Sequence, residues 1–209
     1  QWLAVFDEPP AQSTTQVPKE RRVLFITEPP EVKPYPASYL RQFGTVISPF
    51  FIRNAPRGTV FLENPCLNWH YGVDVVSCSS DLSNLDAFRS MPIPAKDKML
   101  SVICSTKTFT AAQHKRIAFV EKLQKRFGNR VDLYGRGRNP ISDKRTAIAS
   151  YKYHLVLENN YIDNFWTEKF SDTLLGYTYP IYLGAPNIAA KCPSGAMLIL
   201  RPDNDEANL

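Results

Sequence analysis

The stretch from residue 99 onward most restricts what this chain can fold into, because short, continuous apolar runs alternate there with helical segments. "MLSVICS" (99–105), "RVDLY" (130–134), "YHLVLE" (153–158) and "YPIYLG" (179–184) are short and largely apolar, as strands covered on both faces are. Between them, "AAQHKRIAFVEKLQKRF" (111–127), "DKRTAIAS" (143–150) and "EKFSDTLLGY" (168–177) read as helices. This alternation implies a parallel sheet with helices on both faces, so a Rossmann-like α/β unit is expected for the second half. Ligands of such sheets bind beyond the carboxyl ends of the strands. The loops at 105–113, 135–141, 159–167 and 184–188 would gather there.

The first half is less regular. "WLAVFD" (2–7) and "RRVLFIT" (21–27) read as buried strands, each followed by a Glu-Pro-Pro turn and separated by a Ser/Thr/Pro-rich loop. Residues 45–62 offer weaker strands broken by Pro49 and Pro56, and "VDVVSC" (73–78) reads as another strand. "DLSNLDAFRS" (81–90) reads as a short helix capped by Asp81. "MPIPAKDK" (91–98), with two prolines and three charges, is the expected linker between a domain at 1–95 and one at 96–209.

Composition narrows the function classes. The 209 residues are 44% hydrophobic and 22% charged, enough for a substantial core. The net charge of +5 favours anionic partners. Its cations are dispersed apart from Lys115, Arg116, Lys122, Lys125, Arg126 and Arg130, and no zinc-finger or RNP motif accompanies them, so nucleotide phosphates are favoured over nucleic acid. Cys66, Cys78, Cys104 and Cys192 lack paired spacing and read as free thiols, two of them in strands. No glycosylation sequon occurs, and no apolar run approaches the roughly 18–20 residues of a membrane span. A reducing, cytoplasmic setting is expected, with any peripheral attachment at the inner face of the membrane supplied by segments outside this chain. The chain begins at Gln1 without a methionine or signal-peptide pattern, which is expected of a piece of a longer protein.

One helix start stands out. Thr167 is a good N-cap, and Phe170, Leu174 and Tyr177 at i, i+4 and i+7 give one expected buried stripe. Lys169 then falls in the first turn, where unpaired N–H groups and the helix dipole disfavour a cation. A phosphate bound there would receive the N–H groups, the dipole and the ammonium together. Glu168 beside it offers two acceptor oxygens suited to ribose hydroxyls. Spacing alone leaves open that both are solvated surface residues. "YGRGRNP" (134–140) lacks a complete phosphate-loop pattern and reads as a turn, with Arg136 or Arg138 within reach of an anionic ligand. His114 and His154 have no partner at metal-ligand spacing and read as neutral, structural histidines.

"YKYHLVLENNYIDNFWTEKF" (151–170), followed by "YPIYLGAPNI" (179–188), resembles the signature of the α-1,3-fucosyltransferases, glycosyltransferase family 10. The likeness continues through Tyr134-Gly135 and "HKRIAFVEKL" (114–123), and more faintly through "LFITEPPE" (24–31). It implies a GT-B-like arrangement of two Rossmann-like domains, GDP-fucose as donor held mainly by the C-terminal one, a glycan acceptor of N-acetylglucosamine type, and no obligatory metal. Carried onto this sequence, it places Arg116 on the diphosphate, Asn159 beside the donor, Glu168 on the ribose and Lys169 on the phosphate. Glu28 corresponds to the proposed general base, with Glu31 and Glu8 as rivals.

The sequence also departs from that signature. Where the family has Asp-Tyr before x-Thr-Glu-Lys, this chain has Asn164-Phe165, which removes a carboxylate and a phenol able to reach the donor. Leu157 replaces the phenylalanine of Phe-Glu-Asn. Two complete nucleotide-binding-type domains need about 300 residues, so an incomplete acceptor side is expected. A transferase using another nucleotide sugar, and a catalytically silent nucleotide-sugar or glycan-binding module, are therefore the alternative readings.

Overall fold

In the computed structural model, which describes residues 1–9, 11–52, 55–62, 64, 67–81, 84–108, 111–202 and 204–209, the apolar runs pair into two parallel sheets. The first sheet follows chain order: β1 (Leu3–Phe6), β2 (Arg22–Phe25), β3 (Thr45–Ser48) and β4 (Thr59–Phe61), with the one-turn helix α1 (Ala37–Leu40) between β2 and β3. Pro49 follows β3 directly and Pro56 lies just before β4, the flanking positions where a missing N–H costs a sheet nothing. Leu24, Ile26, Leu40, Phe43, Val46 and Phe50 form the core of this half.

The run at 73–78 is not one strand but a hairpin, β5 (Val73–Asp74) and β6 (Ser79–Ser80), which pair antiparallel. The Asp74 carboxylate accepts the N–H groups of Val76 and Ser77 at 2.9 and 2.8 Å and so turns the chain where the apolar pattern would extend it. Val76 is left exposed, and Cys78 sits in the turn with φ 53°. Cys104 lies one residue beyond a strand, so neither cysteine occupies one, and Cys66 falls outside the described residues. Cys78, Cys104 and Cys192 are free. Helix α2 (Leu85–Ser90) is capped by Asn84, which accepts from the Ala87 N–H at 2.9 Å, while Asp81 pairs with Arg145 at 2.7 Å.

The second sheet contains β7 (Lys98–Ile103), β8 (Val131–Tyr134), β9 (Tyr151–Leu157), β10 (Tyr179–Leu183) and β11 (Leu198–Ile199) in the spatial order β11-β10-β9-β7-β8. Helices α3 (Ala111–Phe127), α4 (Arg145–Ile148) and α5 (Glu168–Leu175) make the crossovers, and α6 (Asp205–Asn208) follows β11. From β7 the chain moves outward through α3 to β8, then returns through α4 to the other side of β7. Right-handed crossovers made in opposite directions lie on opposite faces. Leu155 and Leu157 accordingly pack with Phe119, Val120 and Leu123 of α3, whereas the alternate Val156 packs with Phe170 of α5. The reversal leaves a crevice beyond the carboxyl ends of β7 and β9, the place where such a sheet takes a ligand.

The expected stripe on α5 is only partly buried. Phe170 is inside, but Leu174 and Tyr177 are 43% and 45% exposed, and the other buried residues of the helix are Asp172 and Thr173. The helix ends at Leu175, so Tyr177 lies beyond its C-cap Gly176 in the left-handed region and no longer follows the helical period. Asp172 is buried because it accepts the N–H groups of His70 and Tyr71, at 2.7 and 2.9 Å. The segment 91–97 has no helix or strand, yet Lys96 Nζ anchors it to the carbonyls of Ala149 and Gly176, each at 2.6 Å, and to Thr178 Oγ1 at 2.8 Å. Among the described residues no helix is long and apolar enough to cross a membrane.

The loop after β9 reaches into the other half. Phe165 is buried in the core of the first sheet, 5.3 Å from Phe50 between ring centroids, with Ile162 packed beside it. Phe165→Ala should lower stability by roughly 3–5 kcal/mol in urea unfolding, the usual cost of emptying a buried aromatic site. A loss below about 1 kcal/mol would mean that this contact contributes little to holding the halves together.

Candidate functional site

The crevice at the strand ends is a cavity of about 430 Å³. Ile103, Ser105, Leu155, Leu157 and Asn159 come from β7, β9 and the residues just after them, and Gly135 and Arg136 follow β8. Gly135 is required there, since its φ is +125° and a Cβ would stand 2.8 Å from the Cys104 carbonyl oxygen. Glu28, which follows β2 of the other sheet, closes the opposite wall. All five residues singled out in the sequence, Glu28, Arg116, Asn159, Glu168 and Lys169, therefore line one cavity. Lys107, Arg136 and Lys144 join them, giving five cationic side chains against two carboxylates.

Glu158 organises the floor. This carboxylate closes β9 with no solvent exposure and accepts the Thr167 N–H at 2.8 Å. Thr167 Oγ1, 2.8 and 3.0 Å from its two oxygens, donates to it as well. Lys169 Nζ lies 3.2 Å from Glu158 Oε2, 2.9 Å from Thr167 Oγ1 and 3.7 Å from Glu168 Oε1. The lysine in the first turn is thus compensated by carboxylates. Burial works against its charge, but Glu158 and Glu168 outweigh that and raise its pKa. Thr167 caps α5 as expected, accepting from the Lys169 N–H at 3.4 Å.

Glu168 is held by its neighbour Lys169 and by Lys144, which stands just before α4. Lys144 Nζ donates to it at 3.2 Å and to the buried Asp172 at 2.7 Å, and His70 Nδ1 stands 4.0 Å away. Burial pushes its pKa up, yet the attraction of Lys169 and Lys144 prevails and holds it at about 2. On α3, Arg116 is only 5% exposed; one terminal nitrogen donates to Asn159 Oδ1, and its Nε has no hydrogen-bond partner among the described residues. An unsatisfied guanidinium N–H at a buried position suits an anionic ligand, which it can bind through two nitrogens while staying charged.

Of the three candidate bases, Glu28 alone lines this cavity. Glu8 pairs with Lys33 at 2.6 Å. Glu31 lies beside Asn160, whose amide, in the orientation that satisfies both neighbours, donates to Glu31 Oε2 at 2.8 Å and to the Asn159 carbonyl at 3.2 Å. Glu28 is exposed at the rim, but protein crowding its carboxyl and the nearby Asp7 raise its pKa, with Glu168 adding to the effect and Lys169 and Lys33 opposing it. The Asn164-Phe165 pair is turned elsewhere. Asn164 exchanges hydrogen bonds with Asn187 at 2.9 and 2.8 Å, and Phe165 is in the first sheet's core.

Neither histidine of the sequence reading faces a metal cluster: no group of three potential ligands occurs among the described residues. His154 is buried against Ser101 Oγ at 2.7 Å, and desolvation depresses its pKa to about 3, so it is neutral; His114 is exposed. The sequence reading missed Glu158, Lys144 and Asp172. A charge closing an apolar strand was a signal for Glu158; nothing local marks Lys144.

Glu168 supplies a pH test. Its folded-state pKa of about 2 lies below the ordinary 4.5, so its contribution is complete above pH 4.5 and is lost as pH falls toward 2. Urea unfolding of Glu168→Gln should show a deficit on the order of 2 kcal/mol at pH 6 that narrows as pH falls below 4.5. A deficit independent of pH would contradict the ion-pair account.

Residues 93–201 match the family described as glycosyltransferase family 10 (fucosyltransferase), C-terminal region. A fucosyltransferase-like protein of Arabidopsis thaliana is 34% identical over 86 residues, 40% of this chain and 17% of that protein. GDP-fucose protein O-fucosyltransferase 3 of Mus musculus is 40% identical over 73 residues, 33% of this chain and 15% of that protein. In fold, the chain is similar to an alpha1,3-fucosyltransferase solved with GDP-fucose, at TM-score 0.58 and 18% identity, covering 98% of this chain and 63% of that one. The same comparison with a structure containing GDP gives 0.59. The chain thus spans less than two thirds of the solved proteins and under a fifth of these curated relatives. With over half its length matched to that family and a parallel α/β fold similar to that of solved fucosyltransferases, the chain belongs to the fucosyltransferases of glycosyltransferase family 10.

Proposed function

We propose that the cavity binds GDP-fucose and that the protein is an inverting glycosyltransferase, passing fucose to a hydroxyl of an N-acetylglucosamine-type glycan. The observation that carries this reading is the convergence of Glu28 from one sheet with Arg116, Asn159, Glu168 and Lys169 from the other on a single cationic cavity. Arg116 and Lys169 bind the diphosphate, and Glu168 accepts from the ribose hydroxyls. Asn159, already oriented by Arg116, lies beside the donor. Glu28 takes the proton of the acceptor hydroxyl as that oxygen attacks the anomeric carbon, while the diphosphate departs from the opposite face into the cationic wall. Its raised pKa makes Glu28 a stronger proton acceptor than an ordinary glutamate.

Two finer points have competing readings. The absence of a carboxylate and a phenol at 164–165 supports a related transferase using another nucleotide sugar, which a donor panel distinguishes. The likeness to a protein named as a protein O-fucosyltransferase supports a hydroxyl on a protein as acceptor, which an acceptor panel distinguishes.

Calorimetric titration should show GDP and GDP-fucose binding in preference to UDP, weakened about tenfold or more by Lys169→Ala or Arg116→Ala. Glu28→Gln should leave GDP affinity intact and reduce transfer by about 10²–10⁴-fold. Because Glu28 must be deprotonated to act and its pKa is raised, the acid limb of the wild-type pH profile should lie above 4.5. Nucleotide binding without transfer, unaffected by Glu28→Gln, would instead favour a catalytically silent module.

A further inference from the structure

The sequence reading gave no role to Asp7, yet more hydrogen-bond donors converge on its carboxylate than one turn needs. Asp7 follows β1 with φ 55°, a left-handed conformation that aspartate tolerates better than most residues. Its N–H is fixed by the Phe25 carbonyl at 2.8 Å, and its own carbonyl accepts from Tyr39 Oη at 2.9 Å. Oδ1 accepts the Thr27 N–H at 2.7 Å, the Glu28 N–H at 3.2 Å and the Tyr35 hydroxyl, while the Thr27 hydroxyl donates to Oδ2. These donors come from both sides of the turn that carries Glu28.

We propose that Asp7 is a positioning residue for Glu28: by gathering the Thr27, Glu28 and Tyr35 donors it fixes the turn after β2 and sets a negative charge behind the carboxyl that faces the cleft. The inference rests on the reading of Glu28 as the base. Four donors make the charge permanent over the working range, since burial of Asp7 is outweighed by the hydrogen bonds from Thr27, Tyr35 and Glu28. Tyr35 in turn stays protonated, because burial and the Asp7 carboxylate both raise its pKa. The other charges facing Glu28 are Glu168 and Lys169 on α5 and Lys33 just beyond the turn. The two cations counteract Asp7, so a carboxyl without Asp7 behind it would be a weaker base.

The test is ¹³C-carboxyl NMR titration of the glutamate-labelled 209-residue chain, with the Glu28 resonance assigned from Glu28→Gln. In the wild type this resonance should report two steps, its own and a second at lower pH as Asp7 protonates. In Asp7→Asn its own midpoint should move to lower pH, whereas Tyr35→Phe, which keeps the Asp7 charge, should not lower it. Turnover of GDP-fucose by Asp7→Asn should fall about tenfold or more, with the acid limb displaced in the same direction. A single wild-type step, or an unmoved midpoint in folded Asp7→Asn, overturns the proposal; if that variant does not fold, the wild-type titration decides. If Glu28 senses Asp7 but Glu28→Gln keeps full activity, the base reading fails and the coupling stands. If Glu28→Gln is inactive and Glu28 ignores Asp7, only the present inference falls.

Discussion

A carboxylate without solvent contact closes β9, and the cleft is arranged around its neutralisation. Left unpaired, Glu158 would cost several kcal/mol in such a setting. Thr167 and Lys169 supply its donors, and doing so fixes where α5 begins and where Lys169 points. Gly184 permits the arrangement, since a Cβ there would stand 2.6 Å from the Glu158 side chain and 2.3 Å from the Tyr182 hydroxyl. From this pairing the rest of the charge pattern follows: Lys169 is shared with Glu168, Glu168 with Lys144, and Lys144 with Asp172. A first-turn lysine that local helix physics disfavours becomes the link between a buried strand end and the cationic cavity.

Neighbouring contacts tie the two halves of the chain to each other. Asp172 holds the backbone at 70–71, Asn160 reaches Glu31, and Phe165 occupies the core opposite its own sheet. Contacts of such different kinds constrain the cleft from several directions, which matters because Glu28 and the cationic wall belong to different sheets. At Asn164-Phe165, the place where this chain departs from the family signature, the side chains serve that attachment. A phenylalanine in that loop gains far more by filling the apolar space beside Phe50 than by lying exposed in a polar cavity.

Much of the second half was legible because its information is local. Strands β7 to β10 and helices α3 and α5 are visible as apolar runs and helical segments, and the positions of Asn159 after a strand and of Glu168 and Lys169 in the first turn of a helix follow from that order, with Arg116 in the second turn of α3. Local patterns misled where a nearby polar group intervened. Asp74 bent an apparent strand into a hairpin, and Asn84 displaced Asp81 as a cap. The stripe expected on α5 failed because the helix stops before Tyr177 and because Asp172 is buried by a contact with residues about a hundred positions away, which no periodicity within the helix can encode.

The sequence by itself determined the alternation of strand and helix, the family signature and the residue types able to meet a nucleotide sugar, since each is written in neighbouring positions. Only the tertiary structure decided that Glu28, rather than Glu8 or Glu31, faces the cationic cavity, that Asp7 stands behind it, and that Glu158 and Lys144 complete the charge balance. Their electrostatic effects depend on distance and burial in the folded chain, quantities that exist only once both sheets have closed on the same cleft.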